Sequence, residues 1–163
     1  SNYLLDNNLA QQILIIDLDV HQGSGAAKLF EQEPRVFTFS MHGAKNYPLL
    51  KENSDLDIPL VDGLDDAAYL DLVQAYVPQL LREVRPDFIF YLSGVDVLAS
   101  DKLGRLGMSL EGCRMRDQLV FEFCKAANIP VAVSMGGGYS PKLADIVDAH
   151  CNTFRMAQEV FFD

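Results

Sequence analysis

Short apolar runs alternate along the chain with longer amphipathic stretches, and this alternation sets the expected fold. Ile13 to Leu18 is apolar, carries several β-branched residues and is bounded by polar ones, so it reads as a buried strand. Arg35 to Met41, Leu56 to Leu60, Asp87 to Leu92 and Pro130 to Ser134 read the same way. Helical stretches separate these runs. The opening Ser1-Asn2-Tyr3-Leu4-Leu5 reads as a piece of helix, and Gly23-Ser24-Gly25 opens another that runs to Glu31. Asp65 and Asp66 place acids at the start of a helix reaching Glu83, with Pro78 set to kink it. Ser109 is placed to cap a helix ending at Ala127, with Leu119, Val120, Phe123 and Cys124 among its apolar positions. Gly136-Gly137-Gly138 closes the last strand, and Pro141 starts the last helix. His42 to Asp55 is polar, and Asp62-Gly63 is a turn signal.

Near-continuous apolar strands separated by helices predict a three-layer α/β fold with a mainly parallel sheet covered on both faces. At 163 residues, without repeats or linkers, the chain is expected to form a single domain over 1–163. In such sheets ligands bind beyond the carboxyl ends of the strands, so chemistry is sought there.

Composition narrows the function classes. A net charge of −10 is the wrong sign for holding a phosphate backbone, so direct nucleic-acid binding is not expected. No apolar run approaches the roughly 20 residues needed to span a bilayer, and the N-terminal residues do not read as a basic-then-apolar leader, so none is expected. Cys113, Cys124 and Cys151 lack metal-type spacing and read as reduced thiols, which fits a cytoplasmic location.

Three strand ends carry chemistry. The first is Asp17-Leu18-Asp19-Val20-His21, where period two would place Asp17, Asp19 and His21 on one side if the strand continued. Carboxylate oxygens and an imidazole nitrogen suit Zn²⁺, but alone the pattern serves equally as a polar strand-to-helix junction. The second is Asp96, following Ser93-Gly94-Val95, which taken alone favours a helix cap. The third is Gly136-Gly137-Gly138-Tyr139, where glycines permit a close backbone approach and a Tyr hydroxyl follows; alone it is an ordinary flexible loop. Together, Asp19, His21 and Asp96 make a three-ligand set with open positions, and Tyr139 adds a neutral donor for a developing oxyanion.

Asp17-Leu18-Asp19-Val20-His21-Gln22-Gly23-Ser24-Gly25 resembles the metal-binding signature of the histone deacetylase superfamily, which includes bacterial acetylpolyamine and acetoin-utilisation-type proteins. Phe39-Ser40-Met41-His42, Asp57-Ile58-Pro59-Leu60 with Asp62-Gly63, Gly94-Val95-Asp96 with Leu103-Gly104, and Gly136-Gly137-Gly138-Tyr139 follow in that family's order. The resemblance spans nearly the whole chain, and the ordered set is far more specific than any one piece. It implies an arginase/deacetylase type of fold and Zn²⁺-dependent removal of acyl groups from amines such as lysine or polyamines, with Fe²⁺ as an alternative metal. It implies Asp19, His21 and Asp96 as ligands and Tyr139 as the catalytic hydroxyl. Asp17 would orient a catalytic His and, with Ser40 and backbone oxygens including that of Met41, hold a structural K⁺ or Na⁺. Leu103, Gly137 and Gly138 would border the substrate channel. His42 is expected to be packed and hydrogen-bonded, and His150 to be structural or exposed.

Two departures matter. The family activates water with adjacent histidines upstream of the metal strand, whereas the histidines here are His21, His42 and His150. The chain is therefore expected to be the C-terminal part of the catalytic domain, with a sheet incomplete on its N-terminal side, little activity of its own, and apolar surface favouring self-association or pairing with the missing N-terminal segment. Ser24 stands where the family has Asp or Asn, as a weaker hydrogen-bonding support for a histidine. Two rival readings remain: a non-catalytic metal-binding or interaction module, and a dinuclear-manganese ureohydrolase, which needs more Asp and His ligands than are found here.

Overall fold

The computed structural model describes residues 1–162. Ten elements follow one another: α1 (Asn2–Asp6), β1 (Ile13–Asp17), α2 (Ser24–Phe30), β2 (Val36–Gly43), β3 (Leu56–Leu60), α3 (Asp66–Val84), β4 (Phe88–Gly94), α4 (Leu110–Ala127), β5 (Val131–Gly136) and α5 (Leu143–Phe162). The five strands form one sheet in the order β3-β2-β1-β4-β5, and every pairing is parallel. β1 is central, with Asp17 opposite Ser40 of β2 on one side and Leu92 of β4 on the other. All strand carboxyl ends therefore open onto one edge.

Alternation along β1 assigns the two faces. Leu14 and Ile16 enter the larger core, where Tyr69, Val73 and Val77 of α3, Val120 and Phe121 of α4, and Ala149 and Met156 of α5 meet them. Ile13 and Ile15 point the other way, into a smaller cluster with Leu5, Ala10 and Val36 that Leu4 of α1 and Ala26 and Phe30 of α2 cover. This second face is thinner. Phe88, Phe90 and Leu92 of β4 lie against it but stay half-buried.

Local chemistry sets the helix boundaries. The Asp65 carboxylate accepts the Ala68 N–H at 3.0 Å at the start of α3, and the Ser109 hydroxyl accepts the Gly112 N–H at 2.9 Å at the start of α4. Arg85 and Asn128 adopt the left-handed conformation that ends these helices. Pro78 lies inside α3. Several boundaries differ from the sequence expectation, with β4 running on to Gly94 and β5 to Gly136. β2 continues past Met41 to Gly43, because pairing with β3 extends from Phe39–Leu56 to Gly43–Leu60 and draws His42 into the ladder. The last helix begins at Leu143, since the glycine loop runs on through Pro141.

Ser109 does more than cap α4, because its hydroxyl also donates to Asp66 Oδ2 at 2.5 Å and so ties the starts of α3 and α4 together. Ser109→Ala should lower unfolding stability by about 1 kcal/mol, within the range for a lost cap. Urea denaturation followed by circular dichroism will show this as a lower midpoint at unchanged slope.

Candidate metal centre

β1 leaves the sheet at Asp17, and the following residues are turned rather than extended. Asp17 Oδ1 accepts the Asp19 N–H at 3.1 Å, and Asp19 Oδ1 accepts the His21 N–H at 2.8 Å. Each carboxylate bonds backbone two residues on, a local turn for which a short acid is well suited. The expected alternation of Asp17, Asp19 and His21 on one side therefore does not hold. Asp17 is buried, whereas Asp19 and His21 border an open cleft.

Asp96 comes to the same cleft from β4, two residues past its end. Its Oδ1 accepts the Val20 N–H at 3.0 Å, which fixes the β1 turn against the β4 turn. His21 Nδ1 stands 3.0 Å from Asp19 Oδ1 and 3.1 Å from Asp96 Oδ2. The three candidate ligand atoms lie within 4.8 Å of one another, the one such cluster of His, Cys, Asp or Glu among the described residues. Glycine is required around them. At Gly137, with φ of +68°, a Cβ would come within 2.4 Å of the Asp96 carboxyl group, and one at Gly94 would stand 2.5 Å from Asp19 Cα.

The local electrostatics is unfavourable for bare acids. Burial pushes the Asp96 carboxyl up to about 6, and the neighbouring Asp19 charge adds to the rise. Burial likewise pushes Asp17 up to about 7, with the Asp19 and Asp96 charges contributing. A cation among these groups would offset that cost. Two carboxylates and one imidazole are a donor set that Zn²⁺ accepts, so the residues fit such an ion.

The cleft above the three candidate ligands has a volume of about 640 Å³ and is completed by Tyr47, Leu103, Gly137, Gly138 and Tyr139. Tyr139 is 59% exposed and Leu103 is 53% exposed. One buried carboxylate anchors both. Asp101 Oδ1 accepts the N–H groups of Leu103 and Gly104 at 2.8 Å each, and Asp101 Oδ2 accepts the Tyr139 N–H at 2.6 Å. Neither Tyr47 nor Asp101 was singled out from the sequence. The available signals were weak: a Tyr-Pro step in a polar loop for Tyr47, and an acid three residues before a glycine for Asp101.

The remaining predicted site residues lie off the cleft. Ser40 is paired in register with Asp17; its hydroxyl accepts the Gly23 N–H at 3.3 Å and lies 3.0 Å from His42 Nδ1. The Met41 side chain is in the main core, and Ser24 occupies the first position of α2. His42 is buried in β2, and His150 lies half-buried on α5.

The sequence model of the histone deacetylase domain matches residues 2–154. The chain belongs to the histone deacetylase family. An uncharacterised protein of Picosynechococcus is 48% identical over 153 residues, 94% of this chain and 51% of that protein. Histone deacetylase 2 of Arabidopsis thaliana is 30% identical over 83% of this chain and 36% of its own length. Histone deacetylase clr6 of Schizosaccharomyces pombe is 32% identical over 80% of this chain and 34% of its own length. The chain thus spans about half, or less, of the length of these relatives. Among solved structures, the HDA15 HD domain superposes with a TM-score of 0.77 at 22% identity, over 99% of this chain and 48% of that one. An acetylpolyamine aminohydrolase from Burkholderia pseudomallei gives 0.80 at 20% identity, over 94% and 47%. These two likenesses establish the arginase/deacetylase fold, as the sequence led one to expect.

In this histone deacetylase family member, replacing Asp101 by Ala should free both cleft walls at once. Amide hydrogen exchange at Leu103, Gly104 and Tyr139 should accelerate at least tenfold, while that of Leu14 and Ile16 in β1 stays unchanged. Burial also holds the His42 imidazole below its ordinary value of 6.5. The unfolded chain then binds more protons than the folded one as pH falls through and below 6.5, so His42 makes stability decline on acidification. Urea titrations at pH 7.5 and 5.0 should show a smaller decline for His42→Gln than for the wild type; equal declines would refute the assignment.

Proposed function

We propose that this chain carries the metal-binding and oxyanion-stabilising part of a zinc-dependent deacetylase site acting on acylated amines. The observation that carries the reading is the convergence of Asp19, His21 and Asp96 beneath a cleft that Tyr139 also lines. Asp19, His21 and Asp96 would hold the ion, and Zn²⁺ or Fe²⁺ bound there supplies Lewis-acid chemistry toward an acyl carbonyl. A single three-residue cluster favours one ion over the pair that a ureohydrolase needs.

The chain's own groups divide the remaining work. The Tyr139 hydroxyl is a neutral donor on the cleft wall, suited to an oxygen that gains charge as the carbonyl is attacked. Its backbone is held by Asp101, so that wall does not have to be ordered anew when substrate binds. Leu103 and Tyr47 offer apolar and aromatic surface to the carbon chain of an acyl-amine. Asp17, Ser40 and the Met41 backbone form the proposed K⁺ or Na⁺ site behind the cleft, where a cation would hold Asp17 ionised.

Proton transfer is the weak point. His21 is engaged with both acids, and neither His42 nor His150 lines the cleft, so none of the three is placed to take a proton from water there. Without a general base, hydrolysis should run roughly 10²–10⁴-fold below that of a complete site.

Isothermal titration with Zn²⁺ should give one site per chain, with binding abolished in Asp19→Asn, His21→Ala and Asp96→Asn. Turnover of an acetyl-lysine peptide and of an acetylated polyamine should be slow, metal-dependent and weakened further in Tyr139→Phe. Two manganese ions per chain would support the ureohydrolase reading instead, and metal binding without any turnover the non-catalytic module.

A further inference from the structure

One buried cation stands directly behind the two turns that carry the proposed ligands. Arg116 of α4 is fully buried. Its Nη1 donates to the Gly94 carbonyl at 2.7 Å and to the Leu18 carbonyl at 3.2 Å. Leu18 immediately precedes Asp19, and Gly94 lies two residues before Asp96. The ladder between β1 and β4 closes where the Leu18 N–H donates to the Leu92 carbonyl at 3.1 Å. In place of a further rung, the guanidinium bridges the two strands from the side.

The guanidinium is itself held on its other edges. Nε donates to Asp117 Oδ1 at 2.9 Å and Nη2 to the Ser93 hydroxyl at 3.0 Å. Asp117 in turn accepts the Tyr91 hydroxyl at 2.5 Å and the Thr153 hydroxyl at 2.6 Å. Strands β1 and β4 and helices α4 and α5 thus share one polar network. A buried ion pair of this kind is a poor source of stability, since apolar residues of equal volume often serve as well or better. A planar fork that reaches two carbonyls and a carboxylate together offers geometry that an apolar side chain does not.

We propose that Arg116 is a positioning residue for the metal centre: by bridging the Leu18 and Gly94 carbonyls it sets the separation of Asp19 and Asp96. This rests on the reading of Asp19, His21 and Asp96 as metal ligands. Lysine at the same place has one compact ammonium and does not span the same partners with fixed geometry.

The test uses Co²⁺ as the probe, titrated into the chain and followed by visible absorption, with thermal unfolding of the metal-free protein measured alongside. Arg116→Met combined with Asp117→Asn removes both charges, so no unpaired ion is left buried. That double variant should melt cooperatively yet bind Co²⁺ about 10–100-fold more weakly, the usual cost of losing support behind a ligand, with an altered absorption band. Arg116→Lys should recover part of the affinity. A folded double variant with wild-type affinity and spectrum would overturn the proposal and leave the pair a purely structural one. Where the double variant does not melt cooperatively, Arg116→Lys decides by the same titration: weakened Co²⁺ binding supports the proposal, and wild-type binding overturns it. A wild-type chain that does not bind Co²⁺, or binds it equally after His21→Ala, would instead sink the metal reading and the proposal with it.

Discussion

Two carboxylates brought together in a partly dry place repel one another, and the strand ends of this protein are arranged around that repulsion. Asp19 and Asp96 reach the same cleft from adjacent strands, and His21 stands between their oxygens. Burial, with the Asp19 charge adding to it, lifts the Asp96 carboxyl to about 6. The fold tolerates this because each acid also accepts a backbone N–H, from His21 and Val20 respectively. Those bonds both lower the cost of the charge and fix the turns that carry it. An arrangement that repels itself without a cation and fits one with it has the character of a functional site rather than of a stabilising one.

The surroundings of the cleft follow the same logic of support from behind. Asp101 holds the Leu103 and Tyr139 loops through three backbone N–H groups, and Arg116 holds the Leu18 and Gly94 carbonyls. Asp19, His21, Leu103 and Tyr139 are partly open to solvent, while Asp101 and Arg116, which hold the backbone behind them, are buried. Packing places the rigid material on one side of the sheet, where α3, α4 and α5 build the larger core. The other face, with only α1 and α2 over it, leaves β4 half-covered. The Arg116 network lies on the side of the larger core, so the carbonyls just before Asp19 and Asp96 are bonded from the better-packed face.

Much of this was legible in the chain itself. The β-branched run 13–18 read as a buried strand because a short, near-continuous apolar stretch between helical segments fits a parallel sheet covered on both faces. Ser109 announced the start of α4 because its hydroxyl satisfies a local N–H, an interaction contained within four residues. That Asp19, His21, Asp96 and Tyr139 meet at one cleft was legible only from the set taken together and from the family resemblance: each follows a strand signal closely, and strand ends are where such sheets place chemistry. Asp101 and Arg116 were not. Asp101 bonds Tyr139, 38 residues away, and Arg116 bonds Leu18, 98 residues away. In sequence the first is a loop acid, and the second is one more basic residue on a helix with several charges.

The sequence by itself determined which residues stand at the ends of strands, because apolar runs, turn formers and caps act over a few positions. It did not determine that the first and fourth of those ends lie side by side. That is decided by the strand order β3-β2-β1-β4-β5, which brings Asp96 to Val20 across 76 positions. It did not determine the turn after Asp17 either. There, backbone N–H groups released from the ladder find the carboxylates of Asp17 and Asp19, and the alternation that a continued strand would have carried to His21 gives way to a turn that brings Asp19 and His21 to the cleft. Strand order and the end of the ladder are settled by packing across the whole sheet, and local pattern carries no record of either.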